Sequence, residues 1–196
     1  MVDSFVGLLP EAAIRSWIEG LLPTPAEEKA AAARRSESDD PAAAERLYRE
    51  ANALDPQSAT ALIGLGRVLL AQDRLDELNG LIAKLEARGF LEPEAERLKA
   101  ERNLRAGARD AGDLATRRAE AAAHPGDPDA RFRLAEALAA AGEYAEALEL
   151  ALALVEEGPR HLVESARTLM VSIFQLLPED SELVSEYRRR LSAALH

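Results

Sequence analysis

The sequence predicts an all-α protein, with antiparallel helix pairs stacked as a right-handed superhelix. Three observations predict it. Small and apolar residues recur at a spacing of 34: Ala44, Tyr48 and Ala51 find counterparts in Leu78, Ile82 and Leu85, and Pro125 precedes Pro159 by the same interval. Prolines punctuate the chain at Pro56, Pro93, Pro125 and Pro159, which stand 37, 32 and 34 residues apart and are each expected to close one helix pair. The composition is 47% hydrophobic but only 4% aromatic, which suits a core of Ala and Leu between closely packed helices. A fixed period of this length belongs to repeat arrays, in which each helix pair buries its apolar face against the next.

The elements follow in order. A short strand is conceivable only at Ser4 to Val6, and helices are expected near 10–21, 25–35, 41–53, 58–71, 75–88, 92–107, 113–122, 128–141, 144–157, 160–176 and 181–195. Thr24-Pro25-Ala26-Glu27 reads as a capping box with proline at the first helical position. Asp40-Pro41 and Asp127-Pro128 repeat the start signal, since proline's missing N–H is unneeded in a first turn. Breaks at Asp73 to Arg74, at Gly107 to Gly112 and at Gly142 split the pairs, Gly142 supplying a left-handed turn. Ala31 to Asp40 is the least regular stretch. Residues 100–124 are degenerate as a repeat: Asp113 and Arg117 stand where small and apolar residues belong, so the second helix there is expected to be about one turn short. Ala44, Ala51, Gly66 and Ala147 provide close approach, while Leu62, Leu65, Leu69, Tyr48 and Tyr144 fill the space between helices.

This grammar resembles the tetratricopeptide repeat. The resemblance implies a scaffold that binds other proteins and performs no chemistry, with a concave wall lined by the first helix of each pair. On that wall fall Thr60, Ile63, Arg67 and Leu70 from one pair, and Asp129, Phe132, Glu136 and Ala139 from another. One reading is a peptide groove formed by Thr60, Ile63, Arg67, Leu70, Phe132 and Glu136, with Ile63 and Phe132 as apolar contacts and Arg67 meeting a carboxylate or backbone. The other is that Ile63 and Phe132 pack on neighbouring helices and Arg67 is merely solvated.

Charge and cysteine content narrow the function. The net charge of −11 repels phosphate backbones, so nucleic acid is not an expected partner. Cysteine is absent, which removes disulfides, thiolate zinc sites and thiol redox chemistry from this chain. Met1 to Pro10 carry Asp3 and no basic cluster, unlike a secretory leader, and no apolar run approaches the length of a membrane span. The expected location is the cytoplasm. His124, His161 and His196 lie far apart, so no metal site is expected. Gly64-x-Gly66 mimics a phosphate loop but falls mid-helix with no Lys-Ser/Thr after it. Glu156-Glu157 and Glu179-Asp180 are read as solvated helix ends. No catalytic set and no cofactor are expected.

The two ends carry a finer resemblance. Phe5-Val6-Gly7, Leu9-Pro10-Glu11 and Ile14-Arg15-Ser16-Trp17-Ile18 look like the last strand and closing helix of a thioredoxin fold whose remainder is missing. Residues 1–22 are therefore expected to be its remnant, cut just inside the last strand, and 23–196 a repeat domain with a C-terminal capping helix. Together with "YREANALDP" (48–56), "LIGLGRVLL" (62–70), "ARFRLAEALAAAGEYAEA" (130–147), "IFQLL" (173–177) and the terminal helix, the order resembles the bacterial thioredoxin-domain tetratricopeptide proteins, the YbbN or CnoX-type chaperedoxins. That resemblance implies a holdase-like co-chaperone that binds unfolding clients and passes them to a GroEL-type chaperonin through its C-terminal helix. Leu183, Val184, Tyr187, Leu191, Ala194 and Leu195 share one face of that helix, which either docks the chaperonin or caps the last repeat. Ile14, Trp17, Ile18 and Leu21 form the apolar stripe of the N-terminal helix. With its parent core absent, this stripe is expected to dock on the repeats or on a second copy. The alternative function is an adaptor that holds specific native partners, without a chaperone role.

Overall fold

The computed structural model describes residues 10–12, 14, 15, 17, 22–178 and 180–195. Among them there are ten complete helices and no strand. In chain order these are α1 (Pro25–Ser36), α2 (Pro41–Leu54), α3 (Ala59–Ala71), α4 (Leu75–Glu86), α5 (Pro93–Ala111), α6 (Leu114–Ala123), α7 (Pro128–Ala140), α8 (Tyr144–Glu157), α9 (Arg160–Leu176) and α10 (Glu182–Ala194). Glu11, Ala12, Ile14, Arg15 and Trp17 are also helical; the strand expected at Ser4 to Val6 lies outside the described residues. No helix among the described residues is long and apolar enough to cross a membrane.

Local chemistry places the helix starts. Thr24 and Glu27 complete the capping box: the Glu27 amide donates to Thr24 Oγ1 at 3.2 Å, and the Thr24 amide to the Glu27 carboxylate at 2.7 Å. Asp40 accepts from the Ala43 amide at 2.8 Å and Asp127 from the Asp129 amide at 3.0 Å. Each of these satisfies an N–H that has no partner inside the helix. Asp113 does the same for α6, accepting from the Thr116 amide at 3.1 Å. A residue that breaks the repeat pattern is thus a helix cap. Pro93 and Pro159 also differ from expectation. Pro93 opens α5 at its first helical position and Pro159 is the N-cap of α9, so both begin helices as well as follow them.

The ends are equally specific. At Gly142, φ is +81°, the Glu143 amide reaches back to the Leu138 carbonyl at 2.9 Å and the Gly142 amide to Ala139 at 3.1 Å. This pair of bonds is a Schellman cap. Asp73 builds the same cap on α3 with φ +59°, its neighbour Arg74 reaching the Leu69 carbonyl at 2.9 Å. The break expected at Gly107 to Gly112 falls at its far end: α5 runs past Gly107 to Ala111 and ends at Gly112, where φ is +77°. α5 therefore has 19 residues and α6 only 10, four fewer than α8.

The chain divides into two compact units, residues 1–68 and 69–196. In the first, α1 packs on α2 through Ala26, Ala30 and Ala33 against the buried Ala44, Tyr48 and Ala51. Alanine at these spacings leaves only Cβ between backbones and permits the close approach. The Tyr48 hydroxyl donates to Glu37, and Arg67 donates to the same carboxylate at 2.6 and 3.2 Å. Burial opposes ionisation of Glu37, but the hydrogen bonds from Arg67 and Tyr48 outweigh it and hold its pKa below the ordinary value. Burial and the Glu37 carboxylate together push the Tyr48 hydroxyl far up.

In the second unit, α7, α8, α9 and α10 share one core. Leu138, Leu148, Leu152, Met170, Ile173 and Val184 are all completely buried within it. Each such side chain stabilises the fold by roughly 1.5–3 kcal/mol relative to exposure. α5 packs against α7 and α9, and α6 packs on α7. Two arginines of α5 serve the end of α3: Arg105 donates to the Leu70 carbonyl, and Arg109 reaches the Asp73 carbonyl at 2.8 Å and its carboxylate at 2.6 Å.

Candidate functional site

A cleft opens in the second unit where α5, α7 and α9 meet. α5 and α9 are tied together by Arg97 donating to the Gln175 carbonyl at 3.3 Å and by Asn103 donating to the Ser172 hydroxyl at 3.3 Å. Together with α7 the two helices enclose a volume of about 350 Å³. Phe132 and Glu136 come from α7, Leu104, Gly107 and Asp110 from α5, and Ser165 and Thr168 from α9. A second hollow of about 230 Å³ continues from it and shares Asn103, Glu164, Thr168 and Ser172. Leu91, Lys99, Arg167 and Val171 line that extension. The two together form a groove lined by both apolar and hydrogen-bonding side chains, the general character of a ligand site.

Glu136 is the electrostatic centre of the cleft. Its backbone neighbour across the gap is Gly107, where an added Cβ would stand 2.9 Å from the Glu136 carboxylate oxygen. Glycine inside a helix weakens it by roughly 0.5–1 kcal/mol relative to alanine. Here that cost accompanies room for a carboxyl group. Burial is the main cause that pushes the Glu136 pKa up to about 7; the Asp110 carboxylate adds to it and Arg133 opposes it. No hydrogen-bond donor or ion-pair partner reaches Glu136 or Asp110 among the described residues.

The expected groove residues divide. Phe132 and Glu136 line the cleft. Thr60 is exposed on α3, outside it. Ile63 and Leu70 are 6% and 3% exposed, so they are core side chains rather than surface contacts. Arg67 keeps 40% of its side chain exposed and is hydrogen-bonded to Glu37 and Tyr48. At Gly64, a position the sequence did not single out for close approach, a Cβ would overlap the Tyr48 ring; Gly66 is buried on the same helix.

On α10, Val184, Tyr187 and Leu191 are buried in the common core, Leu183 is half-buried and Leu195 is exposed. The face offered for docking is therefore occupied by the helix's own fold, as a cap would be. Tyr187 donates to Glu149 at 2.6 Å, Arg190 grips the same carboxylate at 2.8 and 3.1 Å, and the Arg190 guanidinium lies 4.8 Å from the Tyr187 ring centre. Burial, then the Glu149 contact, pushes Tyr187 up to about 12. Of the N-terminal stripe, Ile14 and Trp17 are half-buried; Ile18 and Leu21 lie outside the described residues.

Asn103, Asp110, Glu164, Thr168 and Ser172 were not singled out from the sequence. The signal that could have found them is the helical spacing of Ser165, Thr168 and Ser172, which puts a row of hydroxyls on one face of α9. Among the described residues, no group of three or more acidic or histidine side chains is arranged to hold a metal ion.

Known proteins place this architecture. One family model for the tetratricopeptide repeat matches residues 107–196, and a second matches residues 36–101. A search of curated proteins finds no match. Helix pairs of this length, ended by the caps described and matched in both stretches, identify the chain as a tetratricopeptide-repeat protein.

Proposed function

We propose that the chain is a non-catalytic protein-interaction module whose cleft between α5, α7 and α9 seats an extended segment of a partner. The observation that carries this reading is the groove itself. It runs through two adjoining hollows, and it offers Phe132 and Val171 for side chains beside Asn103 and Thr168 for a peptide backbone. Thr168 lies exposed at the junction of both hollows. Thr168→Trp fills the groove from a surface position and is expected to abolish binding of permanently unfolded, carboxymethylated α-lactalbumin without changing helicity. Undiminished binding by this variant sinks the cleft reading.

The finer form is a holdase-like co-chaperone that delivers unfolding clients to a GroEL-type chaperonin, with residues 1–22 as a thioredoxin remnant and 23–196 as the repeat domain. Its support is the family resemblance of the two ends and the exposed apolar side chains Leu22, Leu54, Phe90, Val171 and Leu195. Because the apolar face of α10 is buried, chaperonin docking would use the outer face, where Arg188 and Arg189 are exposed. Arg189→Glu is then expected to lose chaperonin capture with the fold intact. Capture of one or two native proteins, with unfolded chains ignored, favours the adaptor reading instead. Self-association through Ile14 and Trp17 predicts a dimer in sedimentation that Trp17→Ser converts to monomer.

A further inference from the structure

We infer that the cleft selects a partner segment by a cationic side chain, lysine or arginine, with Glu136 and Asp110 as its counter-charges. This deepens the peptide-groove reading and rests on it. The main cleft is lined by three carboxylates, Asp110, Glu136 and Glu164, and by no basic residue. Glu164 already has a partner, since Arg167 stands 3.2 Å away. Asp110 and Glu136 have none among the described residues. The fold thus holds two carboxyl groups at one cavity, neither within hydrogen-bond or ion-pair distance of a basic side chain among the described residues, and cuts α5 back to glycine beside one of them.

The shape matches the same occupant. Phe132, half-buried and backed by the core side chains Leu104 and Leu169, supplies an apolar wall beside the acids. A lysine or arginine buries its methylene stem along such a wall while its head meets charge. The absence of a close three-ligand cluster among the described residues favours a diffuse ammonium or guanidinium over a metal ion. The acidic surface of the whole chain, net −11, attracts basic segments and repels acidic ones.

Proton linkage follows from the groups that face Glu136. Burial and Asp110 from α5 disfavour its charge, and Arg133 on its own helix favours it; Glu164 lines the cleft from α9, and α6 and α8 contribute no residue to it. With its pKa near 7 in the empty site, Glu136 is about half protonated at neutral pH. A cation entering the cleft stabilises the ionised form and releases that proton. Cation binding therefore strengthens as pH rises from 6 to 8.

The test uses the full chain and four fluorescent pools of random nonapeptides, the central residue fixed as Lys, Arg, Gln or Glu, read by anisotropy. The Lys and Arg pools are expected to bind about tenfold tighter than the Gln pool at pH 8, with the ratio shrinking at pH 6. Glu136→Gln brings the ratio close to one with helicity intact by circular dichroism, and Asp110→Asn lowers it. Equal affinity for the Lys and Gln pools at pH 8, tighter binding of the Glu pool, or an unchanged ratio in Glu136→Gln overturns the inference. Pools that bind without charge preference, and are lost in Thr168→Trp, leave the groove reading intact while refuting this one. Pools that still bind Thr168→Trp refute both.

Discussion

Gly64 sets how closely α3 approaches Tyr48. Tyr48 is 1% exposed, and an added Cβ on Gly64 would stand 2.2 Å from its Cζ. Overpacking of this kind typically costs 1–3 kcal/mol. Gly64→Ala is expected to lower the unfolding free energy by about 2 kcal/mol in urea titrations; an unchanged midpoint would show that Tyr48 can move aside freely. Glu136 makes a prediction of a different kind. Its folded pKa lies above the ordinary 4.5, so the fold favours the neutral acid. That contribution is fully present below about pH 4.5 and is lost as pH climbs through about 7. Glu136→Gln, neutral at every pH, is expected to be more stable than the parent at pH 8 by about 1 kcal/mol, the shift being discounted for the solvent that reaches the carboxyl. Thermal melts at pH 5 and pH 8 decide it: the gap between the two proteins must widen at the higher pH. Nothing in the local sequence announces the titration of Glu136, because its causes are Asp110, 26 positions back, and burial by other helices.

Helix boundaries were legible because their chemistry is local. Thr24, Asp40 and Asp127 sit within three residues of the amides they satisfy, and Gly142 carries its own left-handed φ. Asp113 belongs to the same class: it departs from the repeat pattern and caps a helix that is short, as the sequence implies. The cleft was half legible. Phe132 and Glu136 follow from the inward face of α7, but the facing wall joins Asn103 to Ser172 across 69 positions. No spacing rule reports which turn of α9 meets which turn of α5. The terminal helix is legible as a stripe, and the structure buries that stripe: Val184 is 0% and Leu191 7% exposed. Leu191→Ala is expected to cost about 2–3 kcal/mol. Deletion of residues 181–196 should uncover Leu148, Met170 and Ile173, lower the melting temperature and raise binding of an apolar dye. A deletion that melts like the parent would mean that α8 and α9 are complete without α10.

Charge acts over the whole molecule. A net −11 surface concentrates basic segments around the chain beyond any single contact, and salt screens it over about 10 Å at 0.1 M. The affinity of a lysine-bearing peptide is therefore expected to fall about tenfold between 50 and 500 mM NaCl, whereas that of its glutamine counterpart should change little. Parallel salt titrations of the two check this, and parallel curves would remove electrostatics from the recognition.

α5 is nearly twice as long as α6, and the cleft gathers Gly107 and Asp110 from the overhanging turns. A stacked array that repeated without fault would present the same wall at every step, and a partner could settle in any register. The broken period gives one step an address. Lengthening α6 to match its neighbours would tidy the repeat and, by the same stroke, erase the landmark that tells a bound segment where to stop.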